Sequence, residues 1–243
     1  MSTPVLYENS HKDPGKGVAY DSHYETEPWR RFLWERERRV LDAFLREYCN
    51  GREIRLLDFA CGTGRLTSFL EDRVFSAVGV DVSPAMLEVA RNKLKRTEII
   101  EANLIERDVL TGREFDLITA FRFFLNAEPG LRKMALAVLA SHLAEDGYLV
   151  INNHRNRSSP LVLARLFYHR LAGGTCHFMS MAEMKRLVEG AGLIIERVYP
   201  VGVCSVPRLT LPDRWNHKLD DFVLRRRYLS FFSESPIVVC RRA

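Results

Sequence analysis

No apolar run in the 243 residues approaches the ~20 that a membrane-crossing helix requires. The opening stretch, MSTPVLYENSHKDPGKG, has no apolar segment of the kind that directs secretion. Cysteine is scarce and unpaired. Cys49, Cys61, Cys176, Cys204 and Cys240 are odd in number, widely spaced and never arranged as CxxC. That argues against a disulfide framework and against a zinc site, and points to a cytoplasmic chain in a reducing compartment. With 14 glycines and 10 prolines, neither a collagenous nor a low-complexity chain is expected. There is no internal repeat. The length suits one domain, residues 1–243, large enough to bury a core without covalent staples. Negative charge is in short supply: 36 Lys and Arg stand against 31 Asp and Glu, a formal net charge of +5. A basic balance can mark a nucleic-acid binder, so that class stays open until the motifs are weighed.

What is present is an alternation. Residues 1–24 are polar and irregular. From Glu25 to about Cys49, Trp29, Phe32, Leu33, Val40, Leu41, Phe44 and Leu45 recur at helical spacing. Short apolar runs at 54–60, 77–80, 115–120, 148–153, 193–199 and 236–240 predict strands, with a further strand just before Asp108. Between them, helices are predicted around 66–70, after Ser83-Pro84, over 131–143 and over 181–189, the last opened by a Ser180/Glu183 capping box. Strands alternating with helices imply a mostly parallel sheet covered on both faces, with ligands at the carboxyl ends of the strands. Residues 154–179 and 200–235 exceed what the alternation needs. With the arm and helix of residues 1–50, they are expected to cover a site built on 51–153.

The segment Leu56–Leu66, LLDFACGTGRL, follows a predicted strand and opens a predicted helix. Gly62 and Gly64 allow a tight turn and a close ligand approach. The third glycine of GxGxxG is absent, Thr67 standing in its place, and there is no GxxxxGK[ST], so neither a dinucleotide nor a triphosphate loop fits. The segment resembles motif I of class I S-adenosylmethionine-dependent methyltransferases, an acid followed by xGxGxG, with Ala60 replacing the first glycine. The resemblance implies a Rossmann-like α/β fold with a seven-stranded sheet, and S-adenosylmethionine as cofactor. It places Asp58 near the methionine ammonium, with Ala60, Cys61, Gly62 and Gly64 forming the loop. Asp81, 23 residues after Asp58, would take the ribose hydroxyls. Val82 and Met86 would pack on adenine, and Asp108 with Val109 would meet its amino group. In the arm, Tyr24 and Trp29 are expected against the cofactor and Tyr7 against substrate.

The acceptor side is expected after the fourth and fifth strands. FRFFLN, residues 121–126, offers aromatic faces, one guanidinium and one amide, and it lacks the [DN]PP[YF] of methyltransferases acting on DNA and glutamine. Phe121 is assigned to the cofactor, and Arg122, Phe124 and Asn126 to a planar, polar-edged small molecule. Asn153 in INNHRN is a further substrate candidate. His154 and His177 are the candidate bases. No carboxylate pair with metal-ligand spacing follows these strands, so metal-assisted transfer is not expected. YEN near the start, FRFFLN, INNHRN and FFSESPIVV together are similar to the N-methyltransferases of toxoflavin biosynthesis, which implies methylation of a pyrimidotriazine ring nitrogen. Related segments in enzymes of sugar and polyketide pathways leave other natural-product acceptors open. The basic balance keeps an RNA or protein acceptor as a further alternative.

The basic runs weaken that last alternative. Residues 30–39 interleave arginine with glutamate on a predicted amphipathic helix and read as a solvated, self-paired face. Arg225–Arg227 and Arg241-Arg242 lie in a covering segment and at the chain end. None forms a stripe beside the expected site, so no nucleic-acid partner is expected.

Overall fold

The computed structural model describes residues 21, 26–160, 162, 163, 166, 167, 178–202, 215, 218, 221, 222 and 233–243, with Trp29 described in its backbone alone. Tyr7, Tyr24 and His177 lie outside these residues. The chain opens with α1 (Pro28–Tyr48) and then alternates: β1 (Arg55–Phe59), α2 (Arg65–Leu70), β2 (Ser76–Asp81), α3 (Pro84–Lys93), β3 (Thr97–Glu101), β4 (Phe115–Phe121), α4 (Pro129–Ser141) and β5 (Leu143–Asn152). It ends with α5 (Met181–Glu189), β6 (Leu193–Tyr199) and β7 (Ile237–Arg242).

The seven strands form one sheet in the order β3-β2-β1-β4-β5-β7-β6. β1 to β5 pair in parallel, and β7 runs antiparallel between β5 and β6. The central strands are buried along nearly their whole length, as a sheet covered on both faces demands. One apolar cluster joins Ile118 of β4 to Leu136 and Leu139 of α4 and Met184 of α5. A second joins Leu41, Phe44 and Leu70 of α1 and α2 to Leu56 and Leu117.

Local chemistry sets the helix ends. Ser83 caps α3, its hydroxyl accepting from Met86 N at 3.4 Å, with Pro84 in the first turn. Ser180 and Glu183 complete the expected capping box of α5. Two expectations are corrected. The third strand lies at Thr97–Glu101, well before Asp108, because Leu94 leaves the helix with extended backbone and β-branched Thr97, Ile99 and Ile100 pair with β2. The fifth strand begins at Leu143, five residues before the predicted start at Tyr148, its register shifting opposite Phe115 and Leu117. No helix among the described residues is long and apolar enough to cross a membrane.

Candidate active site

The strand order reverses direction between β1 and β4, and the carboxyl ends of strands flanking such a point open a crevice. A cavity of about 400 Å³ lies there. Its walls come from the segments after β1, β2, β3, β4 and β5, from the start of α1 and from Glu234 before β7.

On one side, the turn after β1 is held by short bonds. Cys61 N donates to Val80 O at 3.1 Å and Gly64 N to Cys61 O at 3.0 Å. Asp81, at the end of β2, accepts from Gly62 N at 2.8 Å and Ser83 N at 2.9 Å, tying the turn to the start of α3. Gly64 has φ +68°, and a Cβ there would stand 2.9 Å from Leu94 Cδ1, so the position demands glycine. Asp58 is buried on the cavity floor and accepts from Thr67 Oγ1 at 2.5 Å and Thr119 Oγ1 at 2.7 Å. Burial raises its carboxyl to about 6, the two hydroxyls opposing that rise. Burial likewise pushes the Cys61 thiol well above its ordinary range, so it is an inert wall rather than a nucleophile.

The other side is assembled from distant segments around Glu37, a residue of α1 with no exposed surface. Its carboxylate accepts from Arg122 Nη2 at 2.9 and 3.0 Å, stands 4.0 Å from Arg65 Nη1, and lies 3.5 Å from Asn152 Nδ2. The same amide nitrogen donates to Ser235 Oγ at 2.8 Å, and Ser235 Oγ meets His154 Nδ1 at 3.3 Å. Arg65 also stacks over Trp34, 4.4 Å from the ring centroid. The only non-glycine residues with positive φ among the described residues are Ala60, Arg122 and Arg155, following β1, β4 and β5, and all three line the cavity. Backbone strain is thus concentrated at this rim.

Most of the sequence candidates converge here. Asp58, Ala60, Cys61, Gly62, Asp81, Val82, Met86, Phe121, Arg122, Asn126 and His154 line the cavity, and Gly64 supports the turn. Besides Gly64, four described candidates do not line it. Since β3 ends at Glu101, the cavity meets residues 102–105 instead of Asp108 and Val109. Asp108 Oδ1 accepts from Leu110 N at 2.9 Å and stands 3.1 Å from His142 Nε2, and Val109 is exposed. Phe124 packs edge-on against Phe123 inside the core. Asn153 is buried, its Nδ2 donating to Met179 O at 3.2 Å. The helix at 30–39 is corrected in part: Arg31, Arg38 and Arg39 are exposed, but Arg36 and Glu37 are buried, Arg36 reaching Asp221 at 2.5 Å. Glu37, Arg65, Asn152, Arg155 and Ser235 are not among the sequence candidates, although Arg65, Asn152, Arg155 and Ser235 sit inside the quoted motif segments. Among the described residues no cluster of His, Cys, Asp and Glu could hold a metal ion.

Comparison with known proteins places this geometry. A family described as "Methyltransferase domain" matches residues 31–198. An uncharacterized methyltransferase of Alkaliphilus oremlandii is 30% identical over 121 residues, 49% of this chain and 54% of that protein. The dTDP-3-amino-3,6-dideoxy-alpha-D-glucopyranose N,N-dimethyltransferase of Streptomyces fradiae is 29% identical over 120 residues, 49% of this chain and 46% of that protein. The chain thus spans about half the length of these curated relatives. The magnesium protoporphyrin IX methyltransferase of Synechocystis, solved with bound S-adenosylhomocysteine, shares the fold with a TM-score of 0.65 at 15% identity, over 93% of this chain and 94% of that one. With the match spanning well over half of its residues, the chain belongs to the methyltransferase-domain family, the class I domain whose cofactor is S-adenosylmethionine.

Proposed function

We propose that this protein transfers a methyl group from S-adenosylmethionine to a small planar heterocycle, the specific case being a ring nitrogen of a pyrimidotriazine. The observation that carries the reading is the composition of the cavity beyond β4. Phe121 and Phe123 bring aromatic faces to it, and Arg122, Asn126 and His154 bring polar edges. A flat ring with heteroatoms at its rim matches such a wall.

The residues on the β1–β2 side fit the cofactor. Asp81 is a carboxylate at a strand end, suited to a ribose diol. A Cβ on Gly62 would meet nothing within 4 Å, so the backbone there can be approached closely. Val82 and Met86 are apolar surfaces for a purine. Asp58 is an anion on the floor for an ammonium group. When bound, the cofactor supplies an electrophilic methyl on a sulfonium, a carbon that already carries a good leaving group. The protein's task is therefore to hold the acceptor in line at about 3–3.5 Å and to keep water out. Arg122 is positioned for this by Glu37 and by its own carbonyl, which accepts from Asn126 Nδ2 at 2.8 Å. A base is needed only where the acceptor still carries its proton at attack, and His154 is the titratable imidazole on that side.

The test is transfer of labelled methyl from S-adenosylmethionine to candidate heterocycles, desmethyl pyrimidotriazines included. Labelled heterocycle is the expected product. Transfer only to a nucleotide-linked amino sugar, the acceptor named for the Streptomyces relative, would replace this reading with the sugar one. Label appearing in bulk RNA or protein instead would overturn both.

A further inference from the structure

The cofactor turn has one tie that comes from outside its own strand-turn-helix. Thr63 is the one side chain between Gly62 (φ +58°) and Gly64 (φ +68°), and it lines the cavity with only 2% of its surface exposed. Its Oγ1 lies 2.9 Å from Asp21 Oδ1. A carboxylate only accepts, so the Thr63 hydroxyl donates there. The same carboxylate accepts from Lys93 Nζ, at 3.0 Å on Oδ1 and 2.8 Å on Oδ2. These bonds cross 42 and 72 positions of the chain.

The three residues close a triangle on the turn. Lys93 is the last residue of α3, where a cation also suits the carboxyl end of a helix. The turn already rests on that end, since a Cβ on Gly64 would stand 3.2 Å from Ala90 Cβ and 2.9 Å from Leu94 Cδ1. Each member of Gly62-Thr63-Gly64 thus has its own tie to α3. Gly62 is joined through Asp81 to Ser83, Thr63 through Asp21 to Lys93, and Gly64 by contact with Ala90 and Leu94. An exposed ion pair adds little. Here the two charged side chains are 24% and 28% exposed, and the carboxylate is shared with a buried hydroxyl.

We propose that Asp21 is a positioning residue for the cofactor: acting through Thr63 and Lys93, it holds the turn in its binding shape and slows the departure of S-adenosylmethionine and its product. This rests on the cofactor assignment above. A turn with two glycines at positive φ is soft, because glycine takes positive and negative φ about equally well. Fixing it from outside raises affinity without any new contact to the ligand. Gains of that kind appear chiefly in the dissociation rate.

Two measurements on full-length protein test it. The first follows prebound, labelled S-adenosylhomocysteine after a chase with excess unlabelled compound. Asp21→Ala is expected to release it about tenfold faster, the loss of one charge-assisted hydrogen bond. Thr63→Val and Lys93→Met should each speed release. Thr63→Ser and Lys93→Arg, which restore hydroxyl and charge, should stay within about twofold of wild type. The double variant Asp21→Ala/Lys93→Met should be no faster than Asp21→Ala, since both changes remove one interaction. Release from Asp21→Ala at the wild-type rate overturns the proposal, and so does a double variant whose effects multiply. Should Asp21→Ala fail to fold, Lys93→Met against Lys93→Arg decides, equal rates overturning the proposal. Wild type that takes up no S-adenosylhomocysteine overturns it together with the cofactor reading. The second measurement is hydrogen exchange of cofactor-free protein. Asp21→Ala should speed exchange in the peptide carrying Gly62, Thr63 and Gly64 while β4 and β5 keep their protection. Unchanged exchange in that peptide, or a rise spread evenly over the sheet, overturns the positioning role.

Discussion

The two sides of the cavity are built on different scales. On the β1–β2 side, Asp81 is bonded to Gly62 across 19 positions and to Ser83 across two, and Asp58 to Thr67 across nine. One strand-turn-helix and the strand after it hold nearly everything, the bond from Thr119 of β4 to Asp58, across 61 positions, being an exception. On the β4–β5 side, Glu37 reaches Arg122 across 85 positions and Asn152 across 115, and Ser235 reaches Asn152 across 83. That side exists only once α1, β4, β5 and the segment before β7 have closed on one another. A local motif can be kept through many sequences and still bind one cofactor. An assembled wall can be rewritten by substitutions far apart, which is how one fold comes to serve many acceptors.

The contrast is broken most severely at Glu37. Glu37→Ala removes the anion that holds Arg122 and Arg65, whose side chains are 11% and 14% exposed. Leaving buried cations without their partner costs about 3–5 kcal/mol. Urea unfolding should show a loss of that size. The folded fraction should still take up S-adenosylhomocysteine within about tenfold of wild type, since the backbone bonds that hold the turn run to β2 and α3 and not to α1. An effect on stability below about 1 kcal/mol would mean that the wall does not depend on this residue.

The complementary break is Asp81→Asn. The amide keeps one acceptor oxygen and turns a donor toward the other backbone N–H, so either Gly62 N or Ser83 N loses its partner. A charge-assisted hydrogen bond lost in this way is worth about 1.5–3 kcal/mol. Calorimetry should report S-adenosylhomocysteine binding weakened by about ten- to a hundredfold.

These two positions also show why the sequence is legible on one side and opaque on the other. Asp58, Gly62, Gly64 and Asp81 can be named because their spacing along the chain is their spacing in the fold. The same holds for strands with continuous apolar runs, and for the Ser180/Glu183 cap. Asp108 is misplaced by the sequence because Glu98-Ile99-Ile100-Glu101 has too little apolar signal for a strand that lies at the sheet edge, and the next acid that suits the family pattern stands beyond it. Glu37 is hidden for a physical reason: a glutamate among arginines at helical spacing looks the same whether the partners are solvent-exposed neighbours or an Arg122 that arrives 85 residues later. Phe124 looks like a substrate contact because periodicity does not say which of two adjacent aromatics turns into the core.

A smaller effect sharpens the floor of the cofactor side. The Asp58 carboxyl titrates near 6 in the folded protein against an ordinary value of 3.8. Between those values the folded state holds the proton that the unfolded state has lost. The stabilisation is therefore complete below about pH 4 and is lost as the pH rises through 6. Asp58→Asn removes this dependence. Denaturant unfolding at about pH 4.5 and about pH 7 should show wild type losing about 2 kcal/mol more than the variant across that interval.

The smallest expected change lies in the turn itself, where one residue does a glycine's work. Ala60 has φ +55°, a left-handed conformation that costs an L-residue about 1–2 kcal/mol. Ala60→Gly relieves that strain but adds freedom to the unfolded chain worth about 0.4–1 kcal/mol. The net gain is then about 0.5 kcal/mol, or a rise in melting temperature of about 1–2 °C for a chain of this size. Gly64→Ala has the opposite sign, since it adds the same backbone strain and sets a Cβ 2.9 Å from Leu94 Cδ1. Paired melting curves decide the point. If Ala60→Gly melts lower than wild type, the alanine is packing against something that the glycine cannot replace, and the departure from xGxGxG is an adaptation of the turn rather than a strain it tolerates.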